Sequence, residues 1–146
     1  MRILLALYVI ALGALTSVET GANAKLATTL GGPLWPGVLF SAITVALFAV
    51  GAFALGGPFP VGQLGAAPWW AWIGGLVSAG YILAMLTAPQ VMGAGLFTGL
   101  SVTAAIVASV ALDHFGLVGF PVHPAGAFRL LGAALMVAGI TLVAIF

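Results

Sequence analysis

The sequence contains no cysteine, and of its 146 residues only two are acidic and three are basic. Without cysteine, disulfides and thiol chemistry are excluded, and redox compartment leaves no trace in the sequence. Charged residues make up 3% of the chain, against about 25% in an ordinary soluble domain. Arg2, Glu19, Lys25, Asp113 and Arg129 cannot by themselves build a soluble surface. A formal net charge of +1 leaves no basic patch for nucleic acid and no polybasic cluster for anionic lipid headgroups. The two histidines, His114 and His123, stand alone in one loop, whereas a metal site needs clustered ligands. No nucleophile motif, phosphate loop or carboxylate pair points to an enzyme. No catalytic residue, metal site or cofactor is therefore expected.

What the chain has in abundance is hydrocarbon. Hydrophobic residues account for 64% of it, and the length allows about five spans of about 20 residues with short loops. The expected fold is all-α and integral to the membrane, a single transmembrane domain over 1–146 with helices at about residues 3–26, 36–55, 68–87, 91–113 and 124–146. Gly31, Gly32 and Pro33 end the first run, and Pro36 fits the first turn of the second, where a missing N–H costs nothing. Pro68 opens the third, Ala88-Pro89-Gln90 reads as a turn before the fourth, and Gly116 reads as its stop. The last run begins near Pro124. A membrane barrel would need segments of about ten residues of alternating polarity; these runs are longer and apolar all round, and helices satisfy their own backbone in lipid. Arg2 followed by Ile3 to Leu15 and Ala22-Asn23-Ala24 also fits a secretory signal with an A-x-A cleavage site. The segment is read here as the first membrane helix.

With five spans the termini lie on opposite sides. Arg2 and Arg129 then fall on one side and Lys25 on the other, a weak version of the Lys/Arg bias that normally fixes orientation. A chain of this kind can insert both ways. Two copies in opposite orientation would make an antiparallel dimer of ten helices, an inverted repeat built from two chains, and inverted repeats are a common architecture of secondary transporters.

Glu19 is the residue least at home in such a chain. A carboxylate in a hydrocarbon-length helix costs on the order of 3 kcal/mol. Thr16, Glu19, Thr20 and Asn23 recur at helical spacing and share one stripe, which should face the protein interior or a water-filled cavity. Glu19 is expected to bind a proton and a cationic substrate in competition. The plainer alternative places it near the membrane boundary, paired with Lys25 or with water: counted from Ile3 it lies about 24 Å along a core of about 30 Å. Asn23 either orients Glu19 or glues one helix to another. Trp69, Trp70 and Trp72 form an interfacial belt or an aromatic wall for a cation. Trp70, Gly74, Ser78, Tyr81 and Met85 follow helical spacing, so Trp70, Ser78 and Tyr81 join Glu19 and Asn23 as candidate substrate- or proton-binding residues. Gly74 with Gly75, and Gly95 with Gly99, would let a neighbouring helix approach closely. Ser41, Thr44, Thr98 and Ser101 are weaker candidates for a cavity lining. Asp113 stands at a helix C-terminus, where the macrodipole disfavours an anion, and is expected to form a structural ion pair with Arg129.

Four segments together carry a family resemblance: Asn23-Ala24-Lys25-Leu26, Pro68-Trp69-Trp70-Ala71-Trp72-Ile73-Gly74-Gly75, Asp113-His114-Phe115-Gly116 and Arg129-Leu130-Leu131-Gly132. In this order, in a five-span chain, they resemble the YdcZ-like family of small membrane proteins within the drug/metabolite transporter superfamily. The resemblance implies a half-transporter in a bacterial inner membrane, paired with itself or with a homologous five-span chain. It would move a small metabolite or drug-like molecule by alternating access, with export favoured by analogy to the superfamily. Two positions depart from the family pattern. Glu19 stands where relatives often have glutamine, and Ala104-Ala105 where they often have Gly-Gln. A membrane subunit that transports nothing itself, or one half of a heterodimeric transporter, is the alternative.

Overall fold

The computed structural model describes residues 1–146. All of its regular structure is helical: α1 (Arg2–Thr29), α2 (Leu34–Gly51), α3 (Ile73–Met92), α4 (Ala94–Phe115) and α5 (Ala127–Ile145). A wider π turn, Ala52–Gly56, prolongs α2, and a 3₁₀ turn, Trp69–Trp72, leads into α3. The five helical paths are apolar and 19 to 28 residues long. At about 1.5 Å per residue even 19 residues cover about 28 Å, enough for a hydrocarbon core of about 30 Å. By Cα packing the chain falls into two compact units, Met1–Val91 and Met92–Phe146.

In the first unit α1 ends where glycine permits it. Gly31 takes φ +72, a left-handed conformation that glycine adopts without steric cost. The chain then closes on the helix, with Leu30 N–H donating to the Leu26 carbonyl and Gly32 N–H to the Ala27 carbonyl, each at 3.0 Å. Pro36 lies fully buried in the first turn of α2, where its missing N–H leaves no helical bond unmade. The small core of this unit gathers Thr20, Asn23 and Ala27 of α1 with Met85, Leu86 and Pro89 of α3. Leu86 is completely buried and its Cδ1 approaches Gly37 of α2 so closely that a Cβ there would sit 3.4 Å away. The first half of α1, from Ile3 to Leu15, is exposed throughout.

Helix α3 departs from the expected boundaries. No turn forms at Ala88-Pro89-Gln90; Pro89 lies inside α3, which continues to Met92, and α4 begins at Ala94 rather than Val91. Neighbouring groups make up for a proline in a membrane helix well enough for it to persist. The break falls instead at Gly93, with φ +84 and ψ 151, a conformation that residues bearing a Cβ rarely adopt. Gly74 and Gly75 have no atom within 4 Å of where a Cβ would stand, so within this chain no neighbour uses the approach they allow.

In the second unit α4 packs on α5. Gly99 makes the close contact: a Cβ at that position would collide with the Ile140 side chain. Helix α4 stops at Gly116, which is left-handed at φ 62 and donates its N–H to the Leu112 carbonyl. Helix α5 begins at Ala127, later than Pro124 suggested. The residue before a proline is driven away from helical geometry; Phe120, before Pro121, is extended at φ −73 and ψ 141, and residues 120–126 form no helix.

Candidate functional site

The polar stripe of α1 is built from side chains that differ in what they satisfy. Thr16 donates its hydroxyl to the Gly13 carbonyl and Thr20 to the Thr16 carbonyl, both at 2.7 Å. These bonds use carbonyls of the same helix, the usual way a membrane threonine hides its hydroxyl. Asn23 is buried, and its Nδ2 lies 4.0 Å from Sδ of Met85 on α3. A thioether is a weak acceptor, so this contact joins α1 to α3 without saturating the amide. Between them Glu19 is half-buried. Its carboxylate makes no hydrogen bond or ion pair within the chain, and Lys25 does not pair with it; the chain's one ion pair lies elsewhere, between Arg129 and Asp113.

One turn beyond Asn23 a cavity of about 290 Å³ opens between the end of α1 and the end of α3, lined among others by Ala27, Thr28, Leu86, Thr87 and Gln90. Thr28 donates to the Lys25 carbonyl at 2.8 Å, Thr87 to the Leu83 carbonyl at 2.8 Å, and Gln90 Nε2 to the Leu86 carbonyl at 2.6 Å. With those donors engaged, the wall keeps hydroxyl oxygens and an amide oxygen as acceptors. The sequence reading passed over Thr87 and Gln90. Thr87 reads as the last residue of the third span and Gln90 as part of the turn after it, which hides that the two share one helix.

The α3 candidates are arranged differently. Trp70 is 39% exposed, the least of the cluster, against 76% for Trp69 and 58% for Trp72. Ser78 and Tyr81 are also exposed, and of the whole stripe only Met85 is buried. The structure thus joins Asn23 to α3 through Met85, while Trp70, Ser78 and Tyr81 are exposed in a single chain.

The second acid occupies another setting. Arg129 Nη1 lies 3.6 Å from Asp113 Oδ2, and the same guanidinium group donates to the His123 carbonyl at 3.3 Å. His123 N–H donates to the Asp113 carbonyl at 2.8 Å, and Ala125 N–H donates to Nδ1 of His114 at 3.1 Å. The two histidines therefore help to hold the loop between α4 and α5.

With this geometry in view, the comparison with known families is specific. The DMT_YdcZ family, described as "Putative inner membrane exporter, YdcZ", matches residues 4–142. The chain belongs to this family. The DMT_YdcZ match runs from the first turn of α1 to the last turns of α5, so it takes in Glu19, Asn23, the α3 stripe and the Asp113–Arg129 pair together. Membership together with five long apolar helices makes this an integral inner-membrane protein and, in general terms, a transporter of small molecules rather than an enzyme. No curated protein and no solved structure matches the chain.

Proposed function

We propose that this member of the DMT_YdcZ family is a half-transporter whose two copies assemble antiparallel and carry a small cationic molecule out of the cell by alternating access. The five helices of each copy act as one transmembrane domain, and Glu19 exchanges a proton for the substrate. The observation that carries this reading is the Glu19 carboxylate, half-buried in a 28-residue apolar helix and without an ion pair or hydrogen bond in its own chain. A carboxylate kept in such a helix marks a functional site by default, because its cost has to be offset by a partner or a role. Thr20 and Asn23 beside it are buried, so Glu19 borders the packed side of α1. The exposed ring of Trp70, with Ser78 and Tyr81, supplies the complementary aromatic and hydroxyl wall once a second copy is present. Outward transport follows the family description, which names an exporter.

Competition between proton and substrate at one carboxylate has a direct signature. Adding a substrate cation to purified protein in weak buffer should release protons, and Glu19→Gln should release none while keeping its helical content. Substrate binding by wild type without proton release would overturn the coupling. Accessibility of tags at each terminus tests the assembly: both orientations in one membrane support an antiparallel homodimer, and a single orientation would replace it with a heterodimer.

A further inference from the structure

Nine threonines occur in the chain, and seven of them donate their hydroxyls to a carbonyl three or four residues back: Thr16, Thr20, Thr28, Thr29, Thr44, Thr87 and Thr141. The two that do not, Thr98 and Thr103 of α4, are the two that line an open groove of about 350 Å³ between α4 and α5. Thr103 is only 7% exposed. No buried side-chain oxygen is both sealed off and without a partner, so the Thr103 hydroxyl opens into the groove. The rest of the wall is uncharged and mostly apolar: Gly99 and Val102 on α4, Met136, Ile140 and Val143 on α5.

We infer that this groove is a second binding site, independent of Glu19, for a small neutral molecule with an apolar body and a single hydrogen-bonding group. A hydroxyl buried in apolar surroundings is stable only when it finds a partner, and the buried Thr103 forgoes the carbonyl that satisfies seven of the nine threonines; the half-buried Thr98 forgoes it too. Water is a poor occupant. A water molecule takes up about 30 Å³ and needs two to four polar partners, so filling this volume with water would leave most molecules facing hydrocarbon. A charged ligand is disfavoured because no opposite charge lines the wall. A compact aromatic alcohol fits both requirements: its hydroxyl meets Thr103, and its ring meets the Met136 thioether, a soft neighbour for aromatic groups.

The probe is a benzyl alcohol carrying a trifluoromethyl diazirine, photolysed with the full chain in lipid nanodiscs and mapped by peptide mass spectrometry. Its toluene analogue, which lacks only the hydroxyl, reports what a purely lipid-like occupant would do. Saturable labelling of α4 and α5 by the alcohol, competed by unlabelled benzyl alcohol, is expected. Thr103→Val should weaken apparent affinity roughly three- to tenfold, the worth of one hydrogen bond, and Thr98→Val should weaken it less. Thr103→Ser keeps the hydroxyl and should keep the labelling; Thr141→Val, which alters only a hydroxyl already bonded to its own helix, should be silent. If Thr103→Val does not fold, Thr103→Ala, which also removes the hydroxyl but leaves more room, carries the same test. Equal saturable labelling by the toluene analogue, or labelling by the alcohol unchanged in Thr103→Val, would overturn the site and leave a lipid-filled groove.

Discussion

The chain has two acids, and they are placed in opposite circumstances. Asp113 stands at the end of α4, its side chain 28% exposed, with the Arg129 guanidinium 3.6 Å away and its own carbonyl capped by His123. Glu19 stands well inside α1, half-buried, with no cation and no donor. A helix C-terminus repels an anion, and the fold answers that repulsion locally with a cation and a folded loop. No such answer is built around Glu19. The difference separates an acid paired with a cation from an acid with no partner in its own chain.

The sharpest way to break this comparison is Glu19→Gln. Proton release on substrate addition should fall from stoichiometric to nil with the fold retained, read by a pH-sensitive dye together with circular dichroism. Next comes Gly116→Ala, which attacks the support of Asp113 rather than its charge. A Cβ at φ 62 would stand 2.6 Å from Val122 Cγ2, and left-handed backbone costs a residue with a Cβ about 1–2 kcal/mol. Denaturant unfolding in detergent should show a loss of about that size, with proton release intact. Asp113→Asn should cost less, about 0–1 kcal/mol, the range of partly exposed ion pairs. Exchanging the charges (Asp113→Arg with Arg129→Asp) should restore most of that loss, since a cation suits a helix C-terminus; failure of the swapped pair to exceed either single variant would show that the two do not act as a pair. The smallest effect belongs to Asn23→Ala, whose contact with Met85 spans 4.0 Å; membrane side-chain hydrogen bonds average about 0.6 kcal/mol, and a thermal shift at the edge of detection is expected.

The sequence was most legible where a single physical quantity decides the outcome. Five helices followed from apolar length alone, and the stop at Gly116 from glycine's freedom at positive φ. The join between α3 and α4 was misread because Pro89 looks like a helix breaker by soluble rules, while in this chain a helix carries it and Gly93 makes the turn. Spacing placed Thr16, Glu19, Thr20 and Asn23 on one stripe, since a helix fixes which residues share a side. Spacing does not say what a side faces. The α3 stripe is just as regular, yet Trp70, Ser78 and Tyr81 are exposed in the single chain and only Met85 is packed. The Asn23–Met85 contact was out of reach for the same reason, because it depends on how two helices cross. The groove threonines were visible only as ordinary polar residues; what distinguishes Thr98 and Thr103 is a bond not made, which no sequence displays.

One residue in the α4–α5 loop has a bearing on how this chain varies over generations. Val118 is held at φ 55, where a β-branched side chain is strained, between two glycines, Gly116 and Gly119, that occupy the same region of backbone space without strain. The His114–Ala125 and His123–Asp113 bonds close the loop around it. The loop therefore holds a reserve: a single change, Val118→Gly, relieves the backbone strain without touching either acid, and a lineage could draw on it to absorb a destabilising change elsewhere in the chain.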